Sequence, residues 1–144
     1  PIISSSIGEA SRSRAAEGGG MATNIRIISA RDFVKASPEG QFDFEETKQF
    51  LIAVAAASSA LNDHEILIDT RKTDTEMTAT DLWHLAAALE ERRRAFGGKT
   101  AVLCPTDRFD QAGFFALCAQ NRGFHIRAFT AYEQAIEWLM GLDE

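Results

Sequence analysis

Polar side chains that are able to do chemistry follow the apolar runs of this sequence. The set consists of Asp69, Thr70, Arg71, Lys72, Thr78, Thr80, Asp107, Arg108 and Thr130. Where parallel strands end beside helix starts, backbone amides favour anions such as phosphate. We therefore predict that any function tied to an anion lies among these residues. Each of them also has a structural role open to it, as a helix cap, a loop contact or a solvated charge.

Catalysis and metal binding find little support in the remaining residues. His64, His84 and His125 fall on separate predicted elements, so no histidine base is predicted beside a cysteine or serine nucleophile. Their spacing matches neither the HxH nor the HExxH pattern of metal sites. Cys104 and Cys118 stand among apolar neighbours and are predicted to be buried, unreactive thiols. The sequence therefore predicts a protein that is not an enzyme and that uses no cofactor and no metal.

The composition is that of a single globular domain. The chain has 144 residues, a net charge of −6 and a sequence pI of about 5.1. This charge disfavours unspecific binding to nucleic acid or to an anionic membrane.

The basic run 92–94 fits either a solvated helix end or a contact with an acidic partner. No apolar run approaches the ~20 residues of a membrane span, and two cysteines outside a CxxC pair predict a reduced, cytoplasmic setting.

Residues 1–20 differ in composition from the rest of the chain. They are mostly small or polar, show no periodicity and end in three glycines before Met21. We predict a flexible leader, native or added by cloning, that lies outside the fold. The alternative is that a neighbouring subunit or a sheet edge holds this segment, with residues 1–7 as an added strand. Residues 21–144 are predicted to form the folded domain.

Short β-branched runs alternate with amphipathic stretches of helical length, and this order predicts the fold. Strands are predicted at 25–28, 33–36, 64–70, 100–104 and 125–129. The first two are close in sequence and are predicted to pair antiparallel, with residues 37–40 breaking the chain before the first helix. Crossovers of helical length predict parallel pairing for the others. The predicted fold class is α/β, a mixed, mostly parallel sheet of about five strands with four helices.

Capping signals predict where the four helices begin. The capping residues, each with its partner or alternative, are Asp43 with Glu46, Thr78 or Thr80, Thr106 or Asp107, and Thr130 with Glu133. Residues 71–76 are predicted to be a polar connection before the second helix. This pattern sets most candidate site residues at or near helix starts.

Glycines predict the helix ends and one close packing contact. Gly97 and Gly98 are predicted to end the second helix, and Gly123 to end the third in the left-handed conformation. Gly113 lies inside the third helix, where glycine costs about 1 kcal/mol relative to alanine. We predict from this cost that the helix backbone lies close to the sheet at Gly113.

Large aromatic side chains have two interpretations. Trp83 and Trp138 lie next to predicted buried stripes, which fits packing in the core or at its rim. The alternative applies if Trp83, Phe96, Phe114 and Phe115 exceed what the sheet needs to cover it. The surplus would then line an apolar pocket or a dimer surface.

The order of elements resembles the STAS domain, the fold of anti-sigma-factor antagonists and of the cytoplasmic tails of sulphate transporters. The resemblance covers residues 21–141, and its local carrier is the segment ILIDTRKTDTEMTATDLWHLAAAL. In the antagonists the corresponding helix starts with Asp-Ser-Ser-Gly, and a partner kinase phosphorylates a serine there. Here Met77, Thr78, Ala79 and Thr80 occupy that place, so the resemblance implies a phosphorylation site only at Thr78 or Thr80. The stretch from Lys99 onward is similar to small stand-alone bacterial proteins grouped as STAS/SEC14-like.

The resemblance implies a non-enzymatic binding or regulatory module. Protein–protein contact is predicted at the helix start between Thr78 and Trp83, with binding candidates at Asp69, Arg71, Thr78, Thr80, Trp83, Asp107 and Arg108. One alternative is a carrier of a small apolar or lipid-like ligand, as in SEC14-like proteins, which needs a cavity on the order of 300 Å³ or more.

A second alternative is a receiver-like domain that accepts a phosphoryl group on Asp69. It finds less support, because Ser29 and Ala30 stand where a receiver has an acidic pair, and Phe129 and Thr130 stand where it has a lysine. A homodimer, in which the partner is a second copy of this chain, is a further alternative.

Overall fold

The computed structural model describes residues 24–29, 33–59 and 65–141. The predicted leader, the connection between the first two strands and the predicted position of His64 lie outside these residues.

The described residues form strands and helices in alternation. The strands are β1 (Asn24–Ser29), β2 (Phe33–Phe42), β3 (Glu65–Asp69), β4 (Thr73–Thr75), β5 (Lys99–Leu103) and β6 (His125–Phe129). The helices are α1 (Phe44–Ser59), α2 (Ala79–Ala88), α3 (Phe109–Gln120) and α4 (Tyr132–Leu139). Short 3₁₀ turns at Leu89–Arg92 and Thr106–Arg108 follow α2 and precede α3.

The sheet has the order β1-β2-β3-β5-β6, and the short β4 pairs with β2 beyond the end of β3. β1 and β2 are antiparallel, with Asn24 opposite Glu39 and Ser29 opposite Val34. The other pairs are parallel. The predicted mixed, mostly parallel sheet with four helices is therefore confirmed for the part of the chain that the structure describes.

The second strand is longer than predicted. We expected residues 37–40 to break the chain, but β2 continues through them to Phe42. Pro38 is tolerated because β2 pairs with β3 only up to Ala36 and with β4 only from Gly40. On the side of β3 and β4, Pro38 therefore lies in a gap between two ladders, where proline interrupts no strand pairing.

The predicted polar connection 71–76 contains a strand, which corrects the sequence interpretation. Thr73–Thr75 form β4 and extend the sheet past the end of β3, opposite Gly40–Phe42. Only one of these three side chains is buried, so the segment is too short to show the alternation of buried and exposed residues that indicates a strand. Pairing with β2, and not the local sequence, makes it a strand.

Helices cover both faces of the sheet. One core packs α1, α2 and α3 against side chains such as Val34, Ile66 and Ile68, whereas α4 packs on the other face against Leu67 and Leu103. Neighbours along β3 thus point to different cores. An unbroken apolar run such as Ile66–Ile68 is typical of a central strand that is covered on both faces.

The capping predictions have mixed outcomes. Asp43 and Glu46 form a reciprocal box, with the Glu46 amide donating to Asp43 Oδ1 at 2.9 Å and the Asp43 amide donating to Glu46 Oε1 at 3.0 Å. Thr78 is confirmed as the N-cap of α2. The predicted caps at the last two helices are wrong: α3 begins through a 3₁₀ turn without a side-chain cap from Thr106 or Asp107, and Ala131 precedes α4 in place of a Thr130–Glu133 box.

Two glycine predictions also needed correction. α2 ends at Ala88 and tightens into the 3₁₀ turn, well before Gly97 and Gly98. A Cβ on Gly113 would meet no atom within 4 Å, so the predicted close approach to the sheet is absent. Gly123 has a φ of 95°, which confirms its left-handed role after α3.

Candidate functional site

Asp69 and Arg71 form an ion pair where β3 ends. The Arg71 guanidinium donates from Nε to Asp69 Oδ1 at 3.0 Å and from Nη2 to Oδ2 at 2.9 Å. The Arg71 backbone amide also donates to Oδ1 at 3.1 Å. The carboxylate therefore closes the turn after the strand, as an acidic side chain does in an Asx-turn.

The ion pair sets the protonation of Asp69. Partial burial alone would raise the pKa of the Asp69 carboxyl, but hydrogen bonds from Arg71, its positive charge and the charge of Lys35 together hold this pKa below its ordinary value. The Asp69 carboxylate is thus ionised at neutral pH, and Arg71 already binds both of its oxygens. These contacts suit a structural aspartate better than a phosphoryl acceptor.

Thr70 ties this turn to the neighbouring strand. Its amide and hydroxyl both donate to the carbonyl oxygen of Leu103, at 2.7 and 2.9 Å. Its own carbonyl accepts from the Thr73 hydroxyl at 2.8 Å and from the Arg108 guanidinium at 3.1 Å. The ends of β3 and β5 and the start of α3 are therefore held together through one residue.

Thr78 and Thr80 differ in what their hydroxyls do. The Thr78 hydroxyl accepts from the Asp81 amide at 3.1 Å, and the Asp81 carboxylate accepts from the Thr78 amide at 3.1 Å, so the two residues form a capping box. Thr80 lies in the first turn of α2, and it too is exposed. Thr78 is thus part of the helix structure, whereas Thr80 stands outside that box.

The neighbouring helices α2 and α3 carry large apolar side chains that are exposed to solvent. Trp83 on α2 is 48% exposed and Leu117 on α3 is 52% exposed, and Phe114 is also exposed. The guanidinium of Arg122 lies 4.9 Å from the centre of the Trp83 ring and binds Glu90 at 3.4 Å. We call Trp83, Phe114, Leu117 and Arg122 the α2–α3 face.

The exposures of the aromatic side chains show which of them pack in the core and which remain on the surface. Phe96 is buried in the core and Phe115 packs against it, whereas Trp83 and Phe114 are left in solvent. Leu117 and Arg122 were not singled out from the sequence. Leu117 lies three residues after Phe114, a spacing that places both side chains on the same face of a helix. This spacing could have indicated Leu117 from the sequence.

An apolar pocket of about 110 Å³ lies under the three helices, at the carboxyl end of the sheet. Its apolar walls include Phe42, Phe50, Ile68, Leu82, Leu85 and Phe115, and Arg108 stands among the polar lining residues. The volume is well below the 300 Å³ order expected for a lipid-like ligand.

The structure gathers some predicted site residues and separates others. Arg108 reaches the carbonyl of Thr70, beside the Asp69–Arg71 pair. Asp107 is exposed. Thr78, Thr80 and Trp83 share the first turns of α2, and the ring of Trp83 meets Arg122 instead of the cations at the end of β3.

Cys104 and Cys118 are both free and buried, as predicted. Burial raises the pKa of the Cys104 thiol, and Asp107 raises it further against the opposing charge of Arg108. His84 and His125 are exposed. Within the described part of the chain, no three histidine, cysteine, aspartate or glutamate side chains lie close enough together to hold a metal ion.

The structure is similar to solved structures of one fold group. An uncharacterised DUF3478-family protein with a SpoIIAA-like fold, from Shewanella loihica PV-4, has a TM-score of 0.55 and 15% identity over 83% of this chain and 94% of that chain. An anti-sigma factor antagonist from Mycobacterium paratuberculosis also has a TM-score of 0.55, with 13% identity over 83% of this chain and 95% of that chain. Unphosphorylated SpoIIAA, an anti-sigma factor antagonist, has a TM-score of 0.48 and 17% identity over 81% and 98%.

The chain therefore has the SpoIIAA-like, or STAS-like, α/β fold, which confirms the resemblance seen in the sequence. No family model and no curated protein matches the sequence. Among the helices that the structure describes, none has the length and apolar character needed to cross a membrane.

Proposed function

We propose that this protein is a regulatory module that acts by docking another protein on the α2–α3 face and the adjoining start of α2. The observation that carries this proposal is the exposure of Trp83, Phe114 and Leu117 on two neighbouring helices. Large exposed apolar side chains on neighbouring helices are typical of interaction sites, because their burial by a partner removes apolar area from water. No reaction is part of the proposal.

The chemistry of the face suggests what the partner offers. Trp83 supplies a broad ring, and Arg122 holds its guanidinium over that ring while binding Glu90. Trp and Arg are the residue types most enriched among energetically important interface positions. We propose a partner that places an apolar side chain beside Trp83 and an acidic group within reach of Arg122.

We further propose Thr80, in preference to Thr78, as the site where phosphorylation would control docking. A phosphate on Thr78 would displace the capping box and face the Asp81 carboxylate that now accepts from the Thr78 amide. A phosphate on Thr80 leaves this box in place and gains from the helix dipole. The fold neighbours support a regulatory interpretation, since one is an anti-sigma factor antagonist.

The test is quantitative pull-down with purified wild-type protein and single variants. We expect Trp83→Ala to lose the captured partner by at least tenfold, whereas Tyr132→Ala, which removes another aromatic ring that is 40% exposed, retains it. Thr80→Asp is expected to change the yield relative to Thr80→Ala. Equal capture by wild type and Trp83→Ala would contradict the proposal.

Sedimentation of the same variants addresses the homodimer. A dimer that Trp83→Ala dissociates and Tyr132→Ala preserves would assign the α2–α3 face to a second copy of the chain in place of a different partner. A monomer in all variants leaves the face to a different protein.

The two alternative functions receive less support from the geometry. A carrier of a lipid-like ligand would need a cavity several times the observed volume of about 110 Å³. A receiver-like phosphoacceptor would need a free Asp69 carboxylate, yet Arg71 binds both of its oxygens.

A further inference from the structure

We propose that the apolar pocket beneath α1, α2 and α3 is a binding site for a small amphiphilic carboxylate. Its hydrocarbon part would occupy the pocket and its carboxylate would pair with Arg108. This inference concerns the inside of the fold and stands independently of docking on the α2–α3 face.

The pocket volume limits the hydrocarbon part. An apolar cavity of about 150 Å³ is enough to hold benzene, so about 110 Å³ accepts about four or five carbon atoms. The lining is overwhelmingly apolar, with the rings of Phe42, Phe50 and Phe115 among its walls. An apolar group gains when it leaves water for a lining of this kind.

Three of the four threonine hydroxyls in the lining are engaged in the fold. The hydroxyls of Thr47, Thr70 and Thr73 each donate to a backbone carbonyl, at 2.7, 2.9 and 2.8 Å. Their protons are therefore committed to the fold. The other lining residues whose side chains carry strong donors are Thr75, Arg108 and Gln111.

Arg108 is the one charged residue of this lining. Its guanidinium carries five N–H groups, and one Nη2 contact, to the carbonyl of Thr70 at 3.1 Å, holds it at the pocket. Among the described residues, no carboxylate lies within ion-pair distance of Arg108, as is also true of Arg92, Arg94 and Arg127, but only Arg108 lines the pocket. A half-buried guanidinium with donors to spare beside an apolar pocket matches a carboxylate head better than a neutral or cationic one.

The experiment titrates pentanoate and 1-pentanol separately into the full-length protein and follows both by NMR chemical shifts. We expect pentanoate to shift the signals of Leu82, Leu85 and Phe115, and 1-pentanol to bind about tenfold or more weakly, because it lacks the charge-assisted contact. Dodecanoate, whose chain is too long for the pocket, is expected to bind no better than pentanoate.

Variants then test the role of Arg108. Arg108→Gln is expected to weaken pentanoate binding about tenfold and to leave 1-pentanol binding unchanged. Arg94→Gln removes an exposed arginine elsewhere and is expected to change neither. If Arg108→Gln fails to fold, the comparison of pentanoate with 1-pentanol on the wild-type protein still decides. Equal affinities there, or no shifts at the pocket residues, would overturn the proposal.

Discussion

Arg71 binds the carboxylate of Asp69 through both its guanidinium and its backbone amide, although the two residues are only two positions apart. The side chain of Asp69 is mostly buried, whereas that of Arg71 is about half exposed. The pair neutralises the one carboxylate that the sequence places at the end of the central strand. Asp69, which the sequence offered as a binding candidate, is thereby part of the turn that shapes the carboxyl edge of the sheet.

The Asp69–Arg71 pair predicts a specific dependence of stability on pH. The folded-state pKa of Asp69 lies below its unfolded value, so its stabilising contribution is present above the unfolded pKa, near ~3.9, and is lost as pH falls through the folded pKa. Asp69→Asn is expected to lower the free energy of unfolding at pH 7 by about 1 kcal/mol and to flatten its acid dependence. Urea denaturation from pH 7 to pH 3 measures both, with exposed Asp107→Asn as the control.

The capping box predicts unequal effects of the two threonines at the start of α2. Thr78→Ala removes the hydroxyl that accepts from the Asp81 amide and is expected to cost about 1 kcal/mol of stability. Thr80→Ala changes an exposed first-turn residue and is expected to stay within about 0.5 kcal/mol of wild type. Urea denaturation measures the free energy of unfolding of both variants. Equal losses in Thr78→Ala and Thr80→Ala would contradict a specific stabilising role of the capping box.

Gly113 offers a stabilising substitution. A Cβ there meets open space, so Gly113→Ala is expected to raise the free energy of unfolding by about 0.5–1 kcal/mol, since alanine restricts the unfolded chain and favours the helix. Gly123→Ala is the contrasting variant and is expected to destabilise, because its φ of 95° strains any residue with a Cβ. A loss at Gly113 by thermal denaturation would contradict the geometry.

Trp83 and Phe96 are expected to differ sharply in their importance for folding. Trp83 is 48% exposed, so Trp83→Ala is expected to cost less than about 1 kcal/mol, chiefly its contact with Arg122. Phe96 is 1% exposed, and Phe96→Ala is expected to cost about 3–5 kcal/mol. The midpoints of urea denaturation compare the stabilities of the two variants. A small stability loss at Trp83 together with lost docking separates binding from folding.

Cys104 is expected to resist alkylation in the native protein. Burial limits access and raises the pKa of its thiol, so little thiolate exists at pH 8. Mass spectrometry after iodoacetamide treatment is expected to show label on Cys104 only once urea unfolds the chain. Rapid labelling of Cys104 under native conditions would reveal an opening of the pocket that this cysteine lines.

Elements whose signals are local were predicted well. Asp43 with Glu46 and Thr78 act through bonds three residues along the chain, so their spacing is visible in the sequence. The predicted caps of α3 and α4 failed because Thr106 and Asp107 lie within a 3₁₀ turn before α3, and because Ala131, not Thr130, occupies the N-cap position of α4. Strand β4 failed likewise, because three residues become a strand only when β2 is present to pair with them.

The amino-acid sequence by itself determined the alternation of strands and helices, the burial of β3 on both faces and the position of Asp69 at its end, since these follow from hydrophobic periodicity along the chain. Only the tertiary structure decided that Arg108 reaches the carbonyl of Thr70, that Trp83 lies in solvent beside Arg122, and that Arg108 stands at an apolar pocket. The reason is physical. Exposure, ion pairing and cavity shape depend on which residues from distant segments pack together, and no local pattern encodes that choice.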